Sequence, residues 1–210
     1  MERLPSKSGY HYPNRIGRIY LQALQEVMGE HGLKAVLRLA KLPHWIDQLP
    51  PDNLALEFSF EDYAAINQAL EDIYGPRGGR GLALRAGRAS FDQGLRDFGP
   101  VVGVADRAFK LLPLPIRLNV GLRAMAKTFT QFSDQISRVE EHPDHFLYII
   151  ERCPVCWGRR ADRPICYAAV GLLEAGILWG TGHHYKVVEK SCVAMGDPTC
   201  TFEISKQPLD

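Results

Sequence analysis

The chain has 210 residues, 46% of them hydrophobic and 23% charged, ordinary globular values that exclude disorder and allow a full core. Twenty-five Lys and Arg stand against 24 Asp and Glu, a formal net charge of +1, which speaks against a dedicated nucleic-acid surface. No uninterrupted apolar run reaches the ~18 residues of a membrane span, and the opening MERLPSKSGY lacks a secretory apolar core, so the expected location is the cytoplasm.

Residues 1–13 are polar and proline-bearing and read as a poorly ordered lead-in. From Asn14, a candidate N-cap, the residues Ile16, Ile19, Ala23, Leu24, Val27 and Met28 fall on one helical face. Gly29 and Gly32 are expected to close that helix. A second short helix over 33–40 stops at Pro43, and the prolines at 43, 50 and 51 make 43–58 read as irregular. Ser59 followed by Asp62 has the form of a capping box. The helix it opens runs to about Tyr74, with Tyr63, Ile66, Ala69, Leu70 and Ile73 inward. Residues 75–81, GPRGGRG, read as a basic glycine-rich connector. They lack the Lys-Ser/Thr of a P-loop and the strand that precedes a dinucleotide fingerprint. Residues 82–98 and 104–112 are helical in pattern, and another helix follows Pro115 with Leu118, Leu122, Met125, Ala126 and Phe129 on one side.

The character then changes. Residues 135–141 and 145–152 read as strands around the turn His142-Pro143-Asp144. Residues 164–180 read as a buried helix with Pro164 at its start, and 184–192 and 199–204 as strands around Met195-Gly196-Asp197-Pro198. Helices first, then antiparallel strands with one buried helix among them, predict an α+β fold. We expect a single domain over 14–210, its helices packed on a twisted antiparallel sheet and its C-terminal hairpin carrying a metal site.

All five cysteines, at 153, 156, 166, 192 and 200, lie in the last third of the chain. In a cytosolic protein such crowding points to metal rather than to a disulfide scaffold. Cys192 ends one strand and Cys200 begins the next, so the hairpin can bring their thiolates face to face. Cys166, near the start of the buried helix, can lean over the same hairpin. Glu189 stands three residues before Cys192, which on a straight strand places the two on opposite faces; a bulge is needed to bring both to one ion. Cys166, Glu189, Cys192 and Cys200 then form the closed four-donor set that structural zinc prefers. Cys153 and Cys156 are reserve ligands. They could complete an all-thiolate zinc site or an iron–sulfur cluster, form a redox pair, or be inert buried thiols.

The spacing Cys156-x9-Cys166, followed by Glu189-x-x-Cys192-x-x-Met195-Gly196-Asp197-x-x-Cys200-x-Phe202, resembles the 4-vinyl reductase domain. The resemblance is specific over 150–204 and weaker over 59–99. That family includes stand-alone proteins and the sensor modules of phenol- and toluene-responsive transcription activators, and its fold is shared with subunits of a Golgi vesicle-tethering complex. The resemblance implies a mixed α/β domain, a homodimer, an apolar ligand cavity, and zinc held by Cys166, Glu189, Cys192 and Cys200. It does not imply phenol recognition, because the position matching the sensors' Trp falls near His145-Phe146. Nor does this chain show an ATPase segment or a helix-turn-helix. The family's name comes from vinyl-group reduction in bacteriochlorophyll synthesis, but no nicotinamide or flavin fingerprint is present.

The helix 164–180 is rich in small residues, among them Ala168, Ala169, Gly171, Ala175, Gly176 and Gly180. Glycine costs a helix about 1 kcal/mol against alanine, so the run needs a reason: close packing, or room for a ligand. Phe129, Phe132, Phe146, Tyr167, Leu172 and Trp179 are the candidates to line such a space, although each is also an ordinary core residue. His183-His184, His142 and His145 read as turn residues, and no catalytic residue is assigned. The expectation is a zinc-stabilised, homodimeric, non-catalytic domain for a small hydrophobic ligand, signalling to a downstream protein partner. The alternatives are a reductase or accessory protein in (bacterio)chlorophyll vinyl-group reduction, or an assembly module.

Overall fold

The computed structural model describes residues 8–102 and 107–210, with the side chains of 99–108 outside that description. It is an α+β fold. Strand β1 (His11–Pro13) leads into helix α1 (Asn14–Leu39), the short α2 (His44–Asp47) and strand β2 (Leu56–Ser59), and then the long α3 (Phe60–Val102). After α4 (Arg107–Lys110) and α5 (Leu114–Phe132) come β3 (Ser137–Glu141), β4 (His145–Ile150), α6 (Tyr167–Thr181), β5 (Tyr185–Ser191) and β6 (Cys200–Pro208). The last four strands form one antiparallel sheet in the order β3-β4-β6-β5.

Residues 8–13 are ordered, which corrects that part of the expected lead-in; residues 1–7 lie outside the described residues. Tyr12 is buried, with its ring against Phe60 and Tyr63. That burial and the pairing of His11 with Ser59 and Tyr12 with Phe58 hold the segment as a strand. The prolines after residue 42 therefore do not keep 43–58 wholly irregular. Asn14 opens α1 without capping it. Pro13 occupies the N-cap position, and the fully buried Asn14 amide donates to Asn53 Oδ1 at 3.1 Å and Glu57 Oε2 at 2.6 Å. Gly29 bends α1 instead of ending it.

Ser59 does cap: its Oγ accepts the Asp62 backbone N–H at 3.0 Å. The GPRGGRG connector is instead helical, part of α3, with a sharp break at Gly75 (φ 72°, ψ 166°). Only glycine adopts that conformation readily. The turn beyond the break folds back so closely that a Cβ on Gly79 would stand 2.5 Å from the Leu70 carbonyl oxygen. The glycines therefore permit a tight kink between two packed helical halves, a role that periodicity does not distinguish from a loop.

Helix α6 begins at Tyr167, three residues after Pro164, and ends in the left-handed Gly182. Its small residues serve close packing, against helices α3 and α5 rather than the sheet. A Cβ on Gly171 would strike the Leu84 carbonyl, and one on Gly87 would strike the Ala168 carbonyl. A Cβ on Gly176 would meet Met125 Sδ at 2.7 Å. This crossing fixes the start of α6, and with it the position of Cys166.

Candidate metal centre and apolar cavity

Four separate chain segments bring six donors together. Cys153 and Cys156 sit on the irregular crossover 151–166, Cys166 immediately precedes α6, Glu189 and Cys192 come from the end of β5, and Cys200 starts β6. All five cysteines are buried. The register of β5 against β6 shifts between Glu189↔Phe202 and Ser191↔Thr201, so the bulge demanded by the Glu189–Cys192 spacing is present. The crossover is pinned by Arg159, which reaches Glu71 Oε1 at 2.7 Å with both side chains largely buried, and by Ala161 N–H donating to the Ala194 carbonyl.

The sulfurs are close. Cys153 lies 3.5 Å from Cys166, and Cys156 lies 3.4 Å from Cys200. Cys166 is 3.8 Å from Cys192 and 3.7 Å from Cys200, and Cys192 is 3.9 Å from Cys200. A bonded disulfide needs roughly 2.05 Å, so these are separate thiols. Two overlapping sets have every donor within 4.8 Å of every other: Cys153, Cys156, Cys166 and Cys200, and Cys166, Glu189, Cys192 and Cys200. Glu189 Oε2 accepts the Cys166 backbone N–H at 2.8 Å, while its buried Oε1 has no hydrogen-bond partner. A buried, unpartnered carboxylate oxygen is costly, and a cation among the thiolates would satisfy it. Burial, and then the neighbouring Cys192, push the Glu189 carboxyl up to about 8. Burial also raises the Cys166 thiol above its ordinary value. Thiolate and carboxylate donors in a closed, dry set suit a soft divalent cation that completes a tetrahedron.

Two further contacts shape the hairpin loop. Asp197 Oδ2 accepts the Cys192 backbone N–H at 2.8 Å, and Cys200 Sγ accepts that of Val193 at 3.3 Å. Asp197 is the reason for the Met195-Gly196-Asp197 turn, and Gly196 takes the positive φ that the turn requires.

Against this cluster lies a largely apolar cavity of about 140 Å³. Val155, between Cys153 and Cys156, and Ala168, two residues after Cys166, both form part of its wall. Of the residues expected to line such a space, Phe129 and Leu172 do so. Phe132 stands behind the wall, its ring 5.3 Å from that of Phe98. Phe146 is buried on β4 opposite Ile204, with the Lys206 ammonium over its ring. Tyr167 turns toward Arg80, and Trp179 stacks on Phe109 beside a second, smaller cavity of about 40 Å³. These four depart from the expected lining because pleat and helix rotation, which composition does not reveal, set their direction.

Sequence reasoning missed the polar part of the wall. Tyr12 donates its hydroxyl to Gln135 Oε1, and Gln135 Nε2 donates to Ser137 Oγ at 2.7 Å. Burial raises the Tyr12 and Tyr63 hydroxyls well above their ordinary values, so they stay neutral. The Tyr10-His11-Tyr12 alternation was the available signal for this strand.

Residues 146–206 match the family model of the 4-vinyl reductase domain. No curated protein sequence matches the chain. Solved structures similar to it are H-NOX proteins. An Fe(II) unliganded H-NOX protein from K. algicida is 12% identical, with 93% of this chain and 96% of that chain covered and a TM-score of 0.59. A structure from a study of heme distortion in the H-NOX family is also 12% identical, covering 94% and 97%, with a TM-score of 0.60. An oxygen-binding H-NOX domain related to soluble guanylate cyclases is 14% identical, covering 91% and 94%, with a TM-score of 0.56. At these identities the likeness establishes the fold alone. The chain thus carries a 4-vinyl reductase domain on an H-NOX-like fold, and the matched residues 146–206 hold all six donors of the buried cluster.

Proposed function

We propose that this chain is a non-catalytic binding domain of the sensor type, taking a small hydrophobic molecule in the cavity beside a zinc ion held by Cys166, Glu189, Cys192 and Cys200. The observation that carries the reading is adjacency: one cavity wall, Val155 and Ala168, is built from the segments that carry the donors. The volume of about 140 Å³ is close to the roughly 150 Å³ of an apolar cavity that stays dry and admits benzene. A single aromatic ring or a short hydrocarbon is therefore the supported size class, with the bonded Tyr12–Gln135 pair as the polar anchor. The zinc ion does no chemistry here; it ties the hairpin to α6 and so fixes the wall.

The heme of the H-NOX neighbours does not transfer to this chain. No histidine or cysteine lines the cavity among the described residues, and the space is far too small for a macrocycle. The same size limit weighs against a tetrapyrrole substrate and hence against vinyl-group reduction inside the fold. Exposed Leu111, Ile116 and Val120 near and along α5 support self-association as the means of passing occupancy to a partner.

Toluene and phenol titrated into zinc-loaded protein test the reading. Toluene is expected to raise the melting temperature in a saturable way, and Ala169→Phe, which fills the cavity, is expected to abolish that rise. No saturable response to either probe would refute ligand binding in this cavity.

A further inference from the structure

We propose that the cluster is a two-ion centre: one zinc held by Cys153, Cys156, Cys166 and Cys200, a second by Cys166, Glu189, Cys192 and Cys200, with the Cys166 and Cys200 thiolates bridging both. The inference deepens the function proposed above, since it keeps that reading's zinc and adds another.

The argument begins with donors left over. A tetrahedral ion takes four of the six. If it sits on Cys166, Glu189, Cys192 and Cys200, then Cys153 and Cys156 remain buried at 3.5 and 3.4 Å from two bound sulfurs. Buried free thiols are ordinary, but these two are placed as ligands would be. A zinc–sulfur bond of roughly 2.3 Å with tetrahedral angles gives sulfur–sulfur edges of roughly 3.8 Å. The five close sulfur pairs run from 3.4 to 3.9 Å.

The donors also divide in the way two tetrahedra sharing an edge must. The two four-donor sets have Cys166 and Cys200 in common, 3.7 Å apart. Each set then has its own terminal pair: Cys153 with Cys156 on the crossover, and Glu189 with Cys192 on the β5 bulge. A thiolate sulfur retains enough lone pairs to bind two metals, whereas a single-ion account gives the crossover pair no role. Charge supports the second ion as well. Five thiolates and one carboxylate carry six negative charges, which two divalent ions reduce to two. The positive end of α6, a helix of 15 residues, starts beside Cys166, and the Val193 N–H points at Cys200, so both bridging sulfurs lie near positive dipoles.

The test is zinc stoichiometry by native mass spectrometry on untagged full-length protein, stripped of metal and titrated with zinc(II) alone. The wild type is expected to bind two zinc ions per chain. Cys153→Ser combined with Cys156→Ser is expected to bind one, as is Glu189→Gln combined with Cys192→Ser. A wild type that stops at one ion in excess zinc, unchanged by the Cys153/Cys156 double substitution, overturns the two-ion centre and leaves the single-zinc reading standing. A wild type that binds none overturns both. Iron with acid-labile sulfide in protein as isolated overturns the zinc pair in favour of a cluster cofactor. Should the variants fail to fold, cadmium-113 NMR of wild-type protein decides. Two resonances split by cadmium–cadmium coupling through shared sulfur are expected, and a single or unsplit signal contradicts the bridge.

Discussion

Cys166 and Ala168, two residues apart at the head of α6, serve two different spaces: the Cys166 sulfur belongs to the thiolate cluster and Ala168 to the cavity wall. A change at one is felt at the other through less than a turn of helix. Ligand and metal should therefore be linked, and linkage is reciprocal. Toluene is expected to stabilise zinc-loaded protein more than chelator-treated protein, and zinc to be released more slowly when toluene is present. Equal toluene responses with and without metal would separate the two sites.

Metal binding to a preformed fold stabilises it by mass action. With zinc at a thousandfold its dissociation constant the contribution is about 4 kcal/mol. Cys200→Ser, which removes a donor common to both sets, is expected to lose about that much in urea unfolding. It should also be insensitive to added chelator, while wild type falls to a similar level when chelated.

Protons compete with the cation. In the metal-free protein burial holds the Glu189 carboxyl up near 8, so below that pH zinc must displace its proton as well as those of the thiols. The sign follows: raised pKa values mean more protons released on binding, and affinity climbs as pH rises. Between pH 6.5 and 8 the slope of log affinity against pH is expected to be smaller in Glu189→Gln than in wild type, by up to one proton. Chelator competition at several pH values measures it, and identical slopes would show that the metal displaces no proton from Glu189.

The α3–α6 crossing has no room for side chains at its two glycines. Gly171→Ala and Gly87→Ala each press a methyl into a backbone carbonyl of the other helix. Each is expected to cost ~1–3 kcal/mol and to weaken toluene binding, because Gly87 also lines the cavity. Gly176→Ala meets the flexible end of Met125 and is expected to cost less. Thermal melts order the three.

Local chemistry in this chain was legible where the partners are near in sequence. The Ser59 cap, the α5 stripe and the demand for a bulge between Glu189 and Cys192 all follow from spacing. The GPRGGRG kink was not, since glycine serves loops and tight helix bends alike and only the approach of Gly79 to Leu70 separates them. The strand at His11–Pro13 exists because of β2, more than forty residues away. The cavity wall was least legible, for its residues come from β1, α1, α3, α5, β4, the crossover and α6, and no single periodicity spans them. The nearness of Cys153 and Cys156 to the other thiols likewise depends on the irregular crossover, anchored by Arg159 to Glu71.

The central claim is that thiolates from four chain segments meet on metal at the wall of the cavity. Zinc K-edge X-ray absorption on zinc-loaded protein tests it most directly. The account predicts a sulfur-dominated first shell at roughly 2.3 Å with a second zinc as a nearby scatterer. A first shell of nitrogen and oxygen, or zinc left free in solution, would contradict it.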